Sequence, residues 1–272
     1  MAASSVAMDP STEATGVSRA RSLFLNVGFV LALLLGWQAI VEAEWVPRYL
    51  FPGPIAVASS LLEMLRDGTM IESLRLSLGR MLIGYGLSVV GGIAIGLLVA
   101  RHWVFKQTFG AVILSLQSLP SICWLPIALI WVGLNERAVV VVVVLGAIFS
   151  IAVATESAVR NIAPIHLKVG RVMGARGLVF ARDILFFASL PELIGGLKLG
   201  WTFAWRSLMA AELIRQDLFG VGRLLETGRS FNDTAMMIAA MLVILAVGIT
   251  VDRLVFGVIE RRVRRRWGLE KS

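Results

Sequence analysis

The sequence contains one cysteine, Cys123, and only two histidines, His102 and His166, in 272 residues. A single cysteine excludes an intrachain disulfide, and the histidines lie far apart in sequence, so neither a zinc site nor a Cys–His pair is predicted. The chain also has no G-x-x-x-x-G-K-[ST] stretch, which excludes ATP binding by a P-loop. We therefore expect no catalytic, cofactor or metal site on this chain.

Charged residues are scarce as well. They make up 16% of the chain against 57% hydrophobic residues, whereas a soluble domain is about one quarter charged. Six segments reach the roughly 20 apolar residues that a membrane-spanning helix needs. They are residues 22–41, 74–100, 109–132, 138–159, 192–213 and 235–259. Because a helix satisfies its own backbone in hydrocarbon, the predicted fold is all-α, a polytopic integral membrane protein with six transmembrane helices.

The chain is expected to divide into three parts. Residues 1–20 are rich in Ala, Ser and Thr and are predicted to form a disordered cytoplasmic N-terminus. Residues 21–260 form the transmembrane domain, which includes a long cytoplasmic loop at 160–191, and residues 261–272 form a basic cytoplasmic tail. The first span is longer than the apolar core of a usual signal peptide, so an uncleaved helix is favoured over a cleaved one.

The formal net charge of +8 is spread between and after the spans. That distribution argues against nucleic-acid binding, which would use a basic patch on a soluble surface. With six spans, every strongly basic segment falls on one side: the N-terminus, the loops after spans two and four, and the C-terminus. Lys and Arg accumulate in cytoplasmic loops, so both termini are predicted to be cytoplasmic.

The loop at 160–191 carries a pattern that a simple connection between spans would not need. Pro164 can open a helix, and Gly174 and Gly177 end the regular spacing. Between Pro164 and Gly174, four apolar residues recur at helical intervals: Ile165, Val169, Val172 and Met173. A second, more basic face holds Lys168, Arg171 and Ala175. Two interpretations stay open, a basic loop lying on anionic lipid and a docking element for another protein, which the glycines and the length favour.

In this loop the sequence resembles the coupling motif of the membrane permease subunits of bacterial ABC importers, in the nitrate/sulfonate/taurine branch. The motif reads E-A-A, three residues, G, nine residues, then I-x-L-P. Gly174 and Ile184 match its glycine and isoleucine. Lys168-Val169-Gly170 stands where the family has E-A-A, and Phe187 stands where it has the proline. A second L-P, Leu190-Pro191, follows as in that branch.

Other segments extend the resemblance from about residue 49 to residue 267. LFPGPIAVASSLLEMLRDG and SLGRMLIGYGLSVVGGIAIGLL are similar to the first external loop and second span of the branch. LPSICWLPIALIWVGLNE is similar to its third span. WRSLMAAELI, followed by FGVGRLLETGRSFNDT, resembles the segment around its A-A-E-x-I and G-x-G signature.

The resemblance implies a type I ABC importer permease, not itself an enzyme, that dimerises in the bacterial inner membrane. Two cytoplasmic ATPase subunits would bind ATP and Mg and dock on the coupling loop, and an exported substrate-binding protein would deliver the solute. The solute would be a small anion such as nitrate, a sulfonate or taurine, moved by alternating access. A polytopic enzyme or a passive channel would leave the loop at 160–191 unexplained. The residues implied in ATPase coupling are Lys168, Arg171, Gly174, Ala175, Ile184, Leu190 and Pro191.

Polar residues inside the spans mark a candidate translocation path. Gln117 and Ser118, with two nearby prolines, interrupt span three and indicate either part of the path or a passive packing kink. Arg206 lies well inside span five and must face water, a carboxylate or an anion. Glu212 lies about 240° further around that helix than Arg206, so an ion pair between these two residues is not expected. A partner for Arg206 on another span stays open. The predicted path residues are Trp201, Trp205, Arg206, Gln117 and Ser118.

Span two is dense in glycine, and Gly92 and Gly96 form a GxxxG pair. Small residues at this spacing let two helices approach closely in lipid. Close packing in the core is the favoured interpretation, and an interface that moves during transport is the alternative.

Overall fold

The structure is a computed structural model that describes residues 13–215 and 217–266. These residues form helices joined by short loops and contain no strand, which confirms the all-α prediction. The helices are α1 (Glu13–Glu42), α2 (Pro54–Arg66), α3 (Thr69–Arg101), α4 (Trp103–Gln117), α5 (Ser121–Val132), α6 (Glu136–Arg160), α7 (Pro164–Val172), α8 (Ala181–Ile214), α9 (Val221–Ser230) and α10 (Thr234–Arg266).

Helices α3 and α6 run in the same direction and pack closely along their length. A Cβ atom added at Gly92 would lie 2.7 Å from Cβ of Ile151, and one added at Gly96 would lie 2.5 Å from Cβ of Thr155. Real side chains do not approach this closely, so the missing side chains set the helix separation. The close-packing interpretation of the GxxxG pair is confirmed.

Helix α8 runs antiparallel to α6 and also contacts α3. Gly200 lies against Ile151, Gly196 lies against Ala154, and Ser207 fills the space beside Gly146. Ile151 also meets Gly92 of α3, and the hydroxyl of Tyr85 on α3 donates to the carbonyl of Leu197 on α8 at 2.8 Å. The core of the molecule therefore lies where α3, α6 and α8 meet. Its fully buried apolar side chains include Met81, Val139, Val142, Val143, Ile151 and Leu208.

The third predicted span is two helices, α4 and α5, which meet at an angle of 103°. The break falls at Ser118 to Pro120, where Pro120 lacks the amide proton that a continuous helix would use. The predicted interruption of this span is confirmed. Because α3 and α6 run in the same direction, the chain must return between them, and the bent pair therefore counts as one span.

Four helices are long and apolar enough to cross a membrane, namely α3, α6, α8 and α10, and the bent pair makes five in the described part of the chain. Helix α1 is 30 residues long but is not among these five. The predicted count of six spans therefore remains a prediction.

Several predicted boundaries differ from the structure. Helix α1 begins at Glu13, so residues 13–20 of the predicted disordered segment are helical, and residues 1–12 lie outside the described residues. The predicted basic tail begins as the last turns of α10, which ends at Arg266; residues 267–272 also lie outside the described residues. Adding a residue to an existing helix costs little because each one adds a hydrogen bond, so helices extend beyond their apolar runs.

The fifth span also begins earlier than predicted, at Ala181 instead of residue 192. Pro191 lies inside the helix. A π-helical turn, Ala181–Phe186, precedes it, and such turns relax the regular hydrogen-bond ladder that a proline interrupts. The proline therefore does not mark the start of this helix.

The glycine contacts between α3 and α6 give a direct test of this packing. Gly96→Val should lower the free energy of unfolding by about 1–3 kcal/mol or more, because the new side chain overlaps the backbone of α6. Gly86→Val is the matched control, since a Cβ atom at Gly86 meets nothing within 4 Å. Thermal unfolding of the two purified variants in detergent measures the difference, and equal midpoints would contradict the packing argument.

Candidate functional site

Helix α7 lies in the predicted coupling loop and has well-defined ends. It begins at Pro164 and is followed by Gly174, whose φ is +81°, and Gly177, whose φ is +56°. The amide of Ala175 donates to the carbonyl of Gly170 at 3.0 Å, which closes the helix in the way that a left-handed glycine allows. The predicted opening proline and terminating glycines are confirmed.

Both predicted faces of α7 are exposed on the single chain. Among its apolar residues, Ile165 is 61% exposed, Val172 is 88% exposed and Met173, one residue past the helix, is 78% exposed. Lys168 and Arg171 are exposed beside them. Covering an exposed apolar face of this kind removes it from water and lowers the free energy.

The remaining predicted coupling residues lie deeper. Ile184 packs under the helix, where a Cβ atom at Gly170 would lie 2.8 Å from Cγ1 of Ile184. Leu190 is half-buried. Pro191 lines a cavity of about 290 Å³ between α8 and α10, together with Ile194 and Val263. The predicted set therefore separates into an exposed group on α7 and its turn and a deeper group on α8, of which Ile184 contacts α7.

The predicted path residues meet around Arg206. A cavity of about 530 Å³ between α8 and α10 is lined by Trp201, Trp205 and Arg206. A second cavity of about 350 Å³ lies at the bend between α4 and α5, and Gln117, Ser118 and again Arg206 line it. Arg206 borders both cavities, and all five predicted path residues line one or both of them.

The charges around these cavities are unevenly paired. Arg206 and Arg253, which lines the larger cavity, form no ion pair in the described part of the chain. The neighbouring carboxylate of Asp252 is 2.8 Å from Nζ of Lys198. Sequence reasoning missed Arg253, although its place next to Asp252 inside an apolar span was visible. The larger cavity therefore carries an excess of positive charge.

Glu212 is fully buried and faces away from Arg206, which confirms that the two do not pair within the helix. Its Oε1 lies 2.7 Å from Nη1 of Arg80 on α3. The hydroxyl of Ser77 donates to the same carboxylate at 2.7 Å, and the amide of Gly222 donates at 3.1 Å. Glu212 therefore pairs with Arg80 on another span. For Arg206 itself, the sequence left a partner on another span open, and none is found in the described residues.

Arg80 extends this network to two more elements. Its Nη1 donates to the carbonyl of Phe219 at 2.6 Å, and its Nη2 lies 2.9 Å from the carboxylate of Glu136 at the start of α6. Sequence reasoning missed the network. The sequence signal that could have indicated it is the pair Ser77 and Arg80, one helical turn apart in an otherwise apolar span.

Arg215 and Asp217 stabilise the loop after α8. Arg215 donates to both carboxylate oxygens of Asp217, at 2.7 and 2.6 Å, and to the carbonyl of Asn135 at 3.2 Å. The hydrogen bonds from Arg215 lower the pKa of Asp217. The carboxylate therefore stays ionised at neutral pH, and the loop stays attached to the start of α6.

The chain is similar to membrane subunits of transport systems. A family model described as "Binding-protein-dependent transport system inner membrane component" matches residues 92–265. The taurine transport system permease protein TauC of Escherichia coli K12 is 24% identical over 82% of this chain and 83% of that protein. The bicarbonate transport system permease protein CmpB of Synechocystis sp. is 27% identical over 82% of this chain and 83% of that protein.

A solved structure shares the fold. The inward-facing MetNI methionine ABC transporter matches with a TM-score of 0.64 and 18% identity, over 72% of this chain and 96% of the matched chain. At this identity the likeness describes the arrangement of the helices.

The buried network predicts a large difference between two glutamates. Glu212→Ala should lower the free energy of unfolding by about 3–5 kcal/mol, because it removes the fully buried carboxylate partner of Arg80 and leaves only the exposed Glu136. Glu72→Ala is the control, since Glu72 pairs with Arg75 on the exposed surface of α3 and should change stability little. Thermal unfolding in detergent compares them, and a small effect of Glu212→Ala would show that the network is dispensable.

Proposed function

The chain belongs to the family of binding-protein-dependent transport system inner membrane components, and on that premise we propose how it couples to its partners and what it carries. The resemblance to ABC importer permeases is confirmed. The protein is the non-catalytic permease subunit of such an importer, and a partner ATPase hydrolyses ATP. The proposals below concern its assembly, the coupling residues, the path and the solute.

The permease works as a dimer, with one ATPase subunit docked on α7 of each copy and a substrate-binding protein on the outer side. The exposed apolar residues of α7 support this, because burying them stabilises a complex. Lys168 and Arg171 beside them provide the polar rim that such an interface requires. Ile184 holds α7 in position from inside the protein, and Leu190 and Pro191 lie further along α8.

The translocation path runs past Arg206 between the two cavities, and the solute is a small anion such as nitrate, a sulfonate or taurine. The single observation that carries this proposal is that Arg206 borders both cavities without a carboxylate partner in the described residues. A guanidinium at that depth is stabilised by a passing anion. The taurine and bicarbonate systems named for two relatives transport small anionic or zwitterionic solutes, which agrees with this chemistry.

Both termini lie on the cytoplasmic side of the inner membrane. The carbonyl of Tyr49, after α1, accepts a hydrogen bond from Thr234 at the start of α10 at 2.7 Å. The end of α1 and the start of α10 are therefore on the same side, so a spanning α1 begins on the side where α10 ends. The five arginines between residues 261 and 266 mark that side as cytoplasmic.

Coupling through α7 predicts the effect of a substitution at its terminating turn. Gly174→Asp should abolish ATP-driven uptake while the protein remains in the membrane, because it places a bulky carboxylate at the docking surface. Gly68→Asp is the matched control: Gly68 also has φ +81° and open space around it, so each change costs about 1 kcal/mol of backbone strain. Uptake by the Gly174→Asp variant equal to that of the control would refute docking at this turn.

Arg206 gives a test of the path. Arg206→Gln should reduce uptake of taurine or bicarbonate about tenfold or more, because a charge-assisted contact is lost, while ATP hydrolysis continues without dependence on solute. Arg66→Gln, on the exposed surface of α2, is the control. Failure of the Arg206→Gln complex to assemble would indicate a structural ion pair with another subunit, and unchanged uptake would remove Arg206 from the path.

A further inference from the structure

A hydrogen-bonded triangle of side chains closes the base of the coupling loop. Oε1 of Glu192, on α8, accepts from the hydroxyl of Ser157 at 2.9 Å and from Nδ2 of Asn161 at 2.8 Å. The same Nδ2 donates to the hydroxyl of Ser157 at 3.1 Å. Ser157 lies in the last turn of α6 and Asn161 directly follows that helix, so the triangle joins the end of α6 to α8.

The triangle spans the whole element that carries α7. Asn161 and Glu192 are 31 residues apart, and only Ile162 and Ala163 separate Asn161 from the start of α7. On the returning side, Gly174 and Gly177 adopt the left-handed conformation that gives the chain its turn. Without a link at its base, an element attached through a two-residue connection and a glycine turn could swing on its own.

A second contact holds α7 against the same helix. Gly170 is buried over Ile184 in the first turns of α8, so closely that a Cβ atom would lie 2.8 Å from Cγ1 of Ile184. Helix α7 is thus attached to α8 at two levels, one along its length and one at the base of the loop. Two separated attachments oppose rotation as well as translation.

We propose that Glu192 is a positioning residue that clamps the coupling loop, so that a displacement of α7 is transmitted to α6 and α8 together instead of being absorbed by the loop. The inference rests on the proposed docking of the ATPase on α7. The two helices then move as one unit, because Gly196 and Gly200 pack α8 tightly on α6.

The opposite side of α8 can accommodate this movement. Between α8 and α10 lies the cavity of about 530 Å³, and beside it Lys198 of α8 pairs with Asp252 of α10. Because α8 carries Trp201, Trp205 and Arg206, moving it against α10 changes the shape of the cavity. The clamp therefore connects the docking surface to the proposed path.

The groups that bond to Glu192 determine which substitutions should break the triangle. Glu192 forms no ion pair in the described residues, and its oxygen accepts from two uncharged groups. Glu192→Gln keeps an acceptor oxygen and should behave nearly as the wild type, whereas Glu192→Ala removes both bonds. Loss of two hydrogen bonds should shift the equilibrium between the linked and the separated ends of the loop roughly tenfold toward the separated state.

The experiment uses the complete complex of permease, ATPase and binding protein in proteoliposomes, with taurine and bicarbonate as probes. Cys123 is replaced by serine, and spin labels are placed at His166→Cys on α7 and Leu199→Cys on α8. The distance distribution between the labels is measured with and without ATP and vanadate. We expect a single narrow distance for the wild type and Glu192→Gln, and a broad distribution with more ATP hydrolysed per solute for Glu192→Ala.

Two further variants complete the test. Asn161→Ala removes one of the two hydrogen bonds to Glu192 and leaves that of Ser157, so it should broaden the distance less than Glu192→Ala does. The double variant should show no effect beyond that of Glu192→Ala. Glu156→Ala is the control, because Glu156 pairs with Arg160 and Lys106 and forms no ion pair with α8 in the described residues. A narrow distance and unchanged ATP consumption in Glu192→Ala and Asn161→Ala would overturn the clamp. Absence of ATP-driven uptake of both probes by the wild type would instead contradict the proposed solutes and leave the clamp to be judged by the label distances.

Discussion

The end of α8 depends on one buried carboxylate, that of Glu212. A charged group with no exposure is costly unless its charge is neutralised and its acceptor positions are filled. Arg80 supplies the charge, and Ser77 and the amide of Gly222 supply the remaining donors. Because these donors come from α3 and from the start of α9, α8 can bury its end only when both neighbours are in register. The connection of Arg80 to Glu136 extends the same requirement to α6.

Further along α8 from this network, its two faces differ in how closely they pack against neighbouring helices. Toward α6, glycines on both helices bring the backbones together, and the contacts leave no room for sliding. Toward α10, the helices are separated by a cavity bordered by charged and aromatic side chains. A packed interface responds to force as a rigid unit, whereas a loosely filled interface can adopt a second arrangement. The permease thus combines a closely packed group of helices, α3, α6 and α8, with a loosely filled interface toward α10.

The fold class followed from the sequence because hydrocarbon leaves few alternatives. A run of about 20 apolar residues has to form a helix, and proline and glycine placed the break at Pro120 and the turn at Gly174. The ends of the helices were harder to predict from the sequence. The start of α8 at Ala181 and the helical residues up to Arg266 were missed, because a helix continues into polar sequence when its neighbours support it. The count of six spans also depends on α1, which is not among the five helices that pass as spans in the described residues.

For the candidate site, helical periodicity alone determined that Arg206 and Glu212 point in different directions, because six residues place them about 240° apart. The exposed pattern of α7 and its terminating glycines followed in the same way from local rules. Only the tertiary structure decided that Glu212 meets Arg80, 132 residues earlier in the chain, and that Arg206 borders two cavities. Local sequence sets which face of a helix a residue occupies, but the neighbour on that face depends on how the helices assemble and on their relative register.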